Sequence, residues 1–343
     1  MKRKWLAVGI ILLFVGIAYA PAIAQNTEKP LQILRGNWLY VGGSGPGNYT
    51  KIQDAIDNAS DGDIVFVYNG IYFENIRINK LIYLIGCDRN TTILDGYQNS
   101  FTIITLVKGV TIKNFTIQNS RGNGVVVSSN YTKIVGNIIK DCDGAGIWIN
   151  FTCNRGYNNI SENMIMNNYV GVYLSYSDWN NITNNIISFN KNGGILMGSD
   201  YSTIVKNKIF NNTGLGIRLK GGRNTINTNI IKDNTGGIRI EHAYENKIIE
   251  NNFQNNNIEL YLSGTNLITK NNFFQSSASF SYAGQSKNIW RGNYWNESRF
   301  LPKPIMGRMG YTFDHGQQYL PLWSWVNFDW FPAKEPYEIQ GMS

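Results

Sequence analysis

A block of about 22 residues recurs through most of this chain, and a recurrence of that length restricts it to a solenoid. Asn137, Asn163, Asn185, Asn207, Asn229, Asn251, Asn271 and Asn293 each follow a short apolar stretch, at gaps of 26, 22, 22, 22, 22, 20 and 22. A second series, Gly124, Gly146, Gly171, Gly194, Gly216 and Gly237, opens short segments such as Gly-Ile-Trp-Ile and Gly-Ile-Arg-Leu. Within those segments the side chains alternate with a period of two, the signature of a strand with two unlike faces. The repeat is therefore all-β.

Three short strands fit into each repeat, for instance Thr132–Val135, Ile138–Ile139 and Gly146–Ile149. Wound in one direction they give a right-handed parallel β-helix, the hand favoured for parallel crossovers. About ten coils, spaced about 4.8 Å, make a rod roughly 45–50 Å long. Inward residues are expected to stack on their equivalents. One column reads Ile147, Val172, Ile195, Ile217, Ile238 and Leu260; the other reads Ile149, Leu174, Met197, Leu219, Ile240 and Leu262. The Asn series sits at the bends, where Asn tolerates left-handed backbone angles and stacked amides pair from coil to coil.

The ends depart from the repeat. Residues 1–25 carry Lys2, Arg3 and Lys4, an apolar run from Trp5 to Ala20, and Ala22-Ile23-Ala24 before Gln25. That is the pattern of a signal peptide cleaved near Ala24, with an uncleaved anchor as the alternative; the mature chain has no other apolar run long enough to span a bilayer. Residues 26–62 form an N-terminal cap. It contains an amphipathic helix over Tyr49–Ala59, with Ile52, Ala55, Ile56 and Ala59 on one face. Repeats occupy 63–289. From Trp290 to the end come five of the nine Trp and five of the eight Pro. This stretch, 290–343, is expected to close the rod as an aromatic cap, or to offer a patch to a glycan or protein partner.

Without residues 1–25, which hold three basic and no acidic residues, the formal surplus falls from +8 to +5. That is no nucleic-acid footprint, which needs clustered Lys and Arg. Cys87, Cys142 and Cys153 are too few for a disulfide framework. A Cys142–Cys153 bond and free buried thiols both fit. Ten Asn-x-Ser/Thr sites occur, among them Asn114, Asn130, Asn150, Asn181 and Asn211, which an exporting host that glycosylates would modify.

Asp61-Gly-Asp-Ile-Val-Phe-Val67 and Gly70-Ile-Tyr-Phe-Glu-Asn75, following the helix, are similar to the opening of pectin-lyase-like β-helices. The Asn/Ile coils resemble NosD-type proteins and their carbohydrate-binding and sugar-hydrolase relatives, over about Asn37–Trp295. Gly292–Trp295 and Pro336–Ile339 resemble a closing tail seen in archaeal members. The resemblance implies fold more than activity. It carries a copper association, which the two distant histidines, His242 and His315, do not support. Arg299, Lys303 and Arg308 stand where related tails have an Asp/Gly-rich loop, so the chain lacks the residues for a tail calcium site.

Chemistry is sought on the outward face of the Gly-led strands. There Trp148, Tyr173, Leu196, Arg218, Arg239 and Tyr261 line up, beside Lys220 and Glu241. Aromatic faces stack on sugar rings and Arg forks hold carboxylates, so Trp148, Tyr173, Arg218, Arg239 and Tyr261 are the ligand-binding candidates. The same residues also make an ordinary solvated face in which Glu241 pairs with Arg239 or Lys220. A glycosidase needs two carboxylates across one bond, and only Glu241 is available, with Glu245 a poor second. The reading is an exported, non-catalytic β-helix that binds polysaccharide or serves a surface structural role, with no metal or cofactor. One alternative is a lyase, epimerase or hydrolase of acidic glycans using Arg218, Lys220, Arg239 and Glu241, with Ca²⁺ under the lyase form. Another is an accessory protein of a membrane or periplasmic enzyme, as in NosD.

Overall fold

The computed structural model describes residues 36–97, 99–150, 156–283, 287–313 and 318–339. The signal-peptide segment, Cys153 and His315 lie outside the described residues.

Three parallel sheets wind around one core. Sheet 1 has twelve strands from Trp38–Val41 to Ile289–Arg291, and sheet 2 has eleven from Gly70–Phe73 to Tyr294–Trp295. Sheet 3 runs from Ile76–Ile78 to Ser277–Ala283 and continues into two longer strands, Lys303–Phe313 and Gln318–Asp329. The result is a right-handed parallel β-helix of eleven turns, one more than the sequence count.

The core is a set of single-residue columns. Sheet 1 stacks Ile112, Ile134, Ile160, Ile182, Ile204, Ile226, Ile248 and Ile268, and ends on Trp290. Sheet 2 stacks Ile139, Ile165, Ile187, Ile209 and Ile231, then turns aromatic at Phe253, Phe273 and Trp295, whose rings lie 4.8 and 4.2 Å apart and nearly parallel. These side chains are buried. Each fully buried aliphatic contributes about 1.5–3 kcal/mol relative to exposure, so a column of eight holds a coil stack together through contacts between neighbouring coils.

The bends use Asn differently from the expectation. The left-handed residues are those just before the ladder Asn: Glu162, Asn184, Lys206, Thr228, Glu250 and Lys270 have φ between 55° and 61°. The ladder Asn themselves are buried and pair. Asn185 Oδ1 accepts from both the backbone N–H and the Nδ2 of Asn163, and Asn207 Oδ1 does the same for Asn185. Two further ladders accompany this one, Asn158–Asn180–Ser202–Asn224–Asn246–Asn266–Asn288 and Asn168–Asn190–Asn212–Asn234–Asn256. The Gly series is required by close approach: a Cβ at Gly171 would stand 2.5 Å from the Gly194 carbonyl oxygen and 2.6 Å from Ile187.

Both ends are closed by carboxylates. The helix Ile52–Asn58 buries Ile52, Ala55 and Ile56 over the first coil, and Glu74 accepts from the Ile52 and Gln53 N–H groups at its N-terminus. At the other end buried Asp329 takes the next place in the main ladder. It accepts from Gly292 N, Asn293 N, Asn293 Nδ2 and Trp295 Nε1 at 2.9–3.1 Å. The aromatic tail thus divides: Trp290 and Trp295 enter the core, whereas Trp323, Trp325 and Trp330 are exposed.

Candidate functional site

The outward face of sheet 3 is set by register. Trp148 pairs with Tyr173, Tyr173 with Leu196, Leu196 with Arg218, Arg218 with Arg239, and Arg239 with Glu259. The row therefore carries a carboxylate where the sequence count placed Tyr261, which instead pairs with Glu241. The cause is a coil of 20 residues between Gly237 and Asn257, so a count of 22 overshoots by two. The inward columns shift with it: Ile258 follows Ile238 and Leu260 follows Ile240, while Leu262 lies past the strand at φ 49°.

The four candidate charges meet. Glu241 is 5% exposed. It accepts from Arg218 Nη2 at 2.9 Å and Arg218 Nε at 3.2 Å, with Lys220 Nζ 3.4 Å away. Arg239 Nε lies 2.8 Å from the other carboxylate oxygen, off the N–H axis, so the contact is an ion pair without a hydrogen bond. Arg239 also sits 3.6 Å from Glu259 and 5.2 Å from the Tyr261 ring centroid. Burial pushes the Glu241 carboxyl up, but the Arg218 hydrogen bond and the charges of Arg218, Arg239 and Lys220 outweigh it and hold the pKa below the usual range. Glu241 is thus an ionised anchor that orients its three cations. Such a group is ill suited to donating a proton as a general acid.

Beside this cluster lies a cleft of about 220 Å³ lined by Tyr173, Ser175, Tyr176, Gly198, Arg218 and Lys220, among others. Tyr173 and Tyr176 are exposed, and Arg218 and Lys220 keep exposed flanks. Aromatic surface and cationic donors thus converge on one concavity, which suits a hydroxylated, negatively charged ligand. Trp148 is half-buried one coil before Tyr173, and its indole N–H has no hydrogen-bond partner among the described residues. Of the glycosylation candidates, Asn181 and Asn211 are exposed and Asn114, Asn130 and Asn150 are half-buried.

Three features escaped the sequence reading. Glu259 was hidden by the short coil. Tyr176 sits just past the strand. Along the neighbouring bend an exposed stack joins Tyr131, Tyr157, Trp179 and Tyr201 at centroid separations of 5.3, 5.9 and 4.4 Å, and Arg223 closes it over Tyr201. Their gaps of 26, 22, 22 and 22 match the Asn series, so the stack was legible in the spacing.

Metal chemistry finds little support in these side chains. No group of three or more His, Cys, Asp or Glu that could hold an ion occurs among the described residues. His242 packs edge-on against Tyr261. Cys142 is a free buried thiol whose pKa burial pushes up to about 12, so it is not a ready thiolate ligand. Among the described residues the donor set does not fit copper.

The sequence profile of the family described as "Periplasmic copper-binding protein (NosD)" matches residues 56–299. The chain belongs to this family. Two curated relatives from Arabidopsis thaliana match shorter stretches. A "Probable pectinesterase/pectinesterase inhibitor 44" is 30% identical over 94 residues, which covers 23% of this chain and 18% of that protein. A "Probable pectinesterase 56" is 29% identical over 130 residues, 33% of this chain and 45% of that protein. The chain spans less than half the length of either. Among solved structures, pectate lyase Pel9A superposes with a TM-score of 0.54 at 17% identity, covering 76% of this chain and 80% of the lyase. DFA-IIIase from Arthrobacter chlorophenolicus A6 gives 0.55 at 12% identity, covering 77% and 95%. These likenesses show the β-helix fold.

Proposed function

We propose that this NosD-family chain works outside the cytoplasm as a binder of acidic polysaccharide, holding the polymer on sheet 3 without cleaving it. The observation that carries the reading is the cleft itself. Tyr173 and Tyr176 supply stacking surface, Arg218 and Lys220 supply charge, and the adjoining acid, Glu241, is already committed to three cations. The periplasmic description of the family and the basic-then-apolar start of the chain support the location.

Binding of the full chain to immobilised polygalacturonate and alginate, with an uncharged glucan as control, tests it. Arg218→Ala and Tyr173→Ala are each expected to weaken binding to the acidic polymers about tenfold or more, the scale of one charge-assisted hydrogen bond or one aromatic contact. Unchanged binding in both variants would remove the site.

A second reading is favoured by the likeness to pectate lyase and by the pectinesterase stretches. It makes the chain an enzyme on uronate polymers, with Arg218, Lys220, Arg239 and Glu241 at the reacting sugar and Ca²⁺ as an added electrophile. Steady release of shorter or modified uronates by the wild type, lost in Arg218→Ala, would establish it and displace the binding-only account.

A further inference from the structure

The Gly series that keeps successive coils in close approach stops at Gly237, and its place is taken by Asn257 and then Ser277. At Gly237 an added Cβ would stand 2.3 Å from the Asn257 carbonyl oxygen, so the column normally admits no side chain. Where two side chains do enter it, a recess of about 630 Å³ opens. That volume lies within the range of small-molecule sites, about 300–1,000 Å³.

Its floor comes from three successive coils, through Thr235, then Asn255–Asn257, then Gln275–Ser277. Its wall is the chain leaving the last coil, Trp295–Glu297, with Arg299 and Lys303. No aliphatic side chain lines it. The Gln275 amide and the Ser277 hydroxyl make no side-chain hydrogen bond among the described residues. Arg299 pairs with Glu297 at 3.3 Å, whereas the Lys303 ammonium has no carboxylate within ion-pair distance there and lies 5.7 Å from the Trp295 ring centroid. The recess therefore offers many groups for hydroxyls and one cation more than it has acids.

We propose that this recess is a second binding site, separate from the sheet 3 cleft, for a short saccharide that carries a carboxylate. Hydroxyls match the Gln275 amide, the Ser277 hydroxyl and the remaining amide atoms of Asn255, Asn257 and Asn296, whose other atoms bond Asp233, Gly237 N and Gln275 N. The carboxylate matches Lys303 and Arg299. The Trp295 ring lies under the lysine. The site lies beyond Glu259, on the final coils, and needs none of the cleft residues.

Calorimetric titration of the full chain with galacturonic acid and its dimer tests it, with galactose and acetate as the uncharged and sugar-free controls. Wild type is expected to bind the acidic saccharides and neither control. Lys303→Gln is expected to weaken binding about tenfold. Ser277→Gly, which removes a hydroxyl from the recess, is expected to weaken binding. The titration is repeated in Tyr173→Ala, which weakens the cleft, and the Lys303-dependent heat is expected to persist there. The inference is overturned if wild type shows no heat with the acidic saccharides, if acetate binds as well as they do, or if Lys303→Gln and Ser277→Gly bind like wild type. Disappearance of the Lys303-dependent heat in Tyr173→Ala would likewise overturn it, by showing one site in place of two.

Discussion

At the residue scale the Asn in this chain have two unlike jobs. Asn184 and Asn211 take left-handed backbone angles at exposed bends, whereas Asn185 and Asn207 are buried members of amide ladders. Replacing Asn207 by Ala removes the acceptor for Asn185 N and Asn185 Nδ2, both buried. Two orphaned donors are expected to lower stability by about 3 kcal/mol, measured as the shift in denaturation midpoint. Lys206→Gly, one position earlier at φ 58°, is expected to be neutral or slightly stabilising, because Gly meets no steric penalty there. Glu241 adds a pH dependence of known sign. Its folded pKa lies below the ordinary carboxylate range, so its stabilising contribution is present above that range and is lost as pH falls through the lowered value. On protonation Arg218 and Lys220 lose their counter-charge, and Arg239 keeps only Glu259. Glu241→Gln is expected to flatten the acid limb of a melting-temperature profile; an unchanged profile would show that the cluster does not govern that limb.

At the element scale, strand existence, direction and facing follow from the apolar alternation and the fixed period, and so do the inward columns of sheet 3 as far as Ile238 and Ile240. What the sequence obscured was register after a change in coil length. The 20-residue coil moved Tyr261 off the Arg239 row and put Glu259 on it, although the same gap is visible between Asn251 and Asn271. The tail was hidden for another reason. Its strands pair through sheet 3 and its anchor is one aspartate, which no periodic pattern marks. Asp329→Ala is expected to leave Asn293 and Trp295 with unpaired buried N–H groups and to free Gln318–Asp329 for cleavage in limited proteolysis. Asp329→Asn, which copies the ladder, is expected to restore much of the protection. Equal cleavage of Asp329→Ala and wild type would mean that the hairpin is held by its other contacts.

At the scale of the whole molecule, each coil touches mainly its neighbours, so stability is close to a sum of coil and interface terms and the ends open before the middle. The sheet 3 cleft lies on central coils, between Tyr173 and Lys220, and is therefore carried by the most persistent part of the rod. Stacking also explains why residues 23 apart, Arg218 and Glu241, form one electrostatic unit. The fold was legible because it repeats. The site was only partly so, since it depends on which side chains of unlike type fall into register. The most direct measurement is hydrogen–deuterium exchange of the full chain with and without polygalacturonate. The account predicts added protection at 173–176, 196–198 and 218–220, with the polymer recovered at its original length. Absence of protection in those three segments, whatever happens at the C-terminal recess, or a shortened polymer, would contradict it.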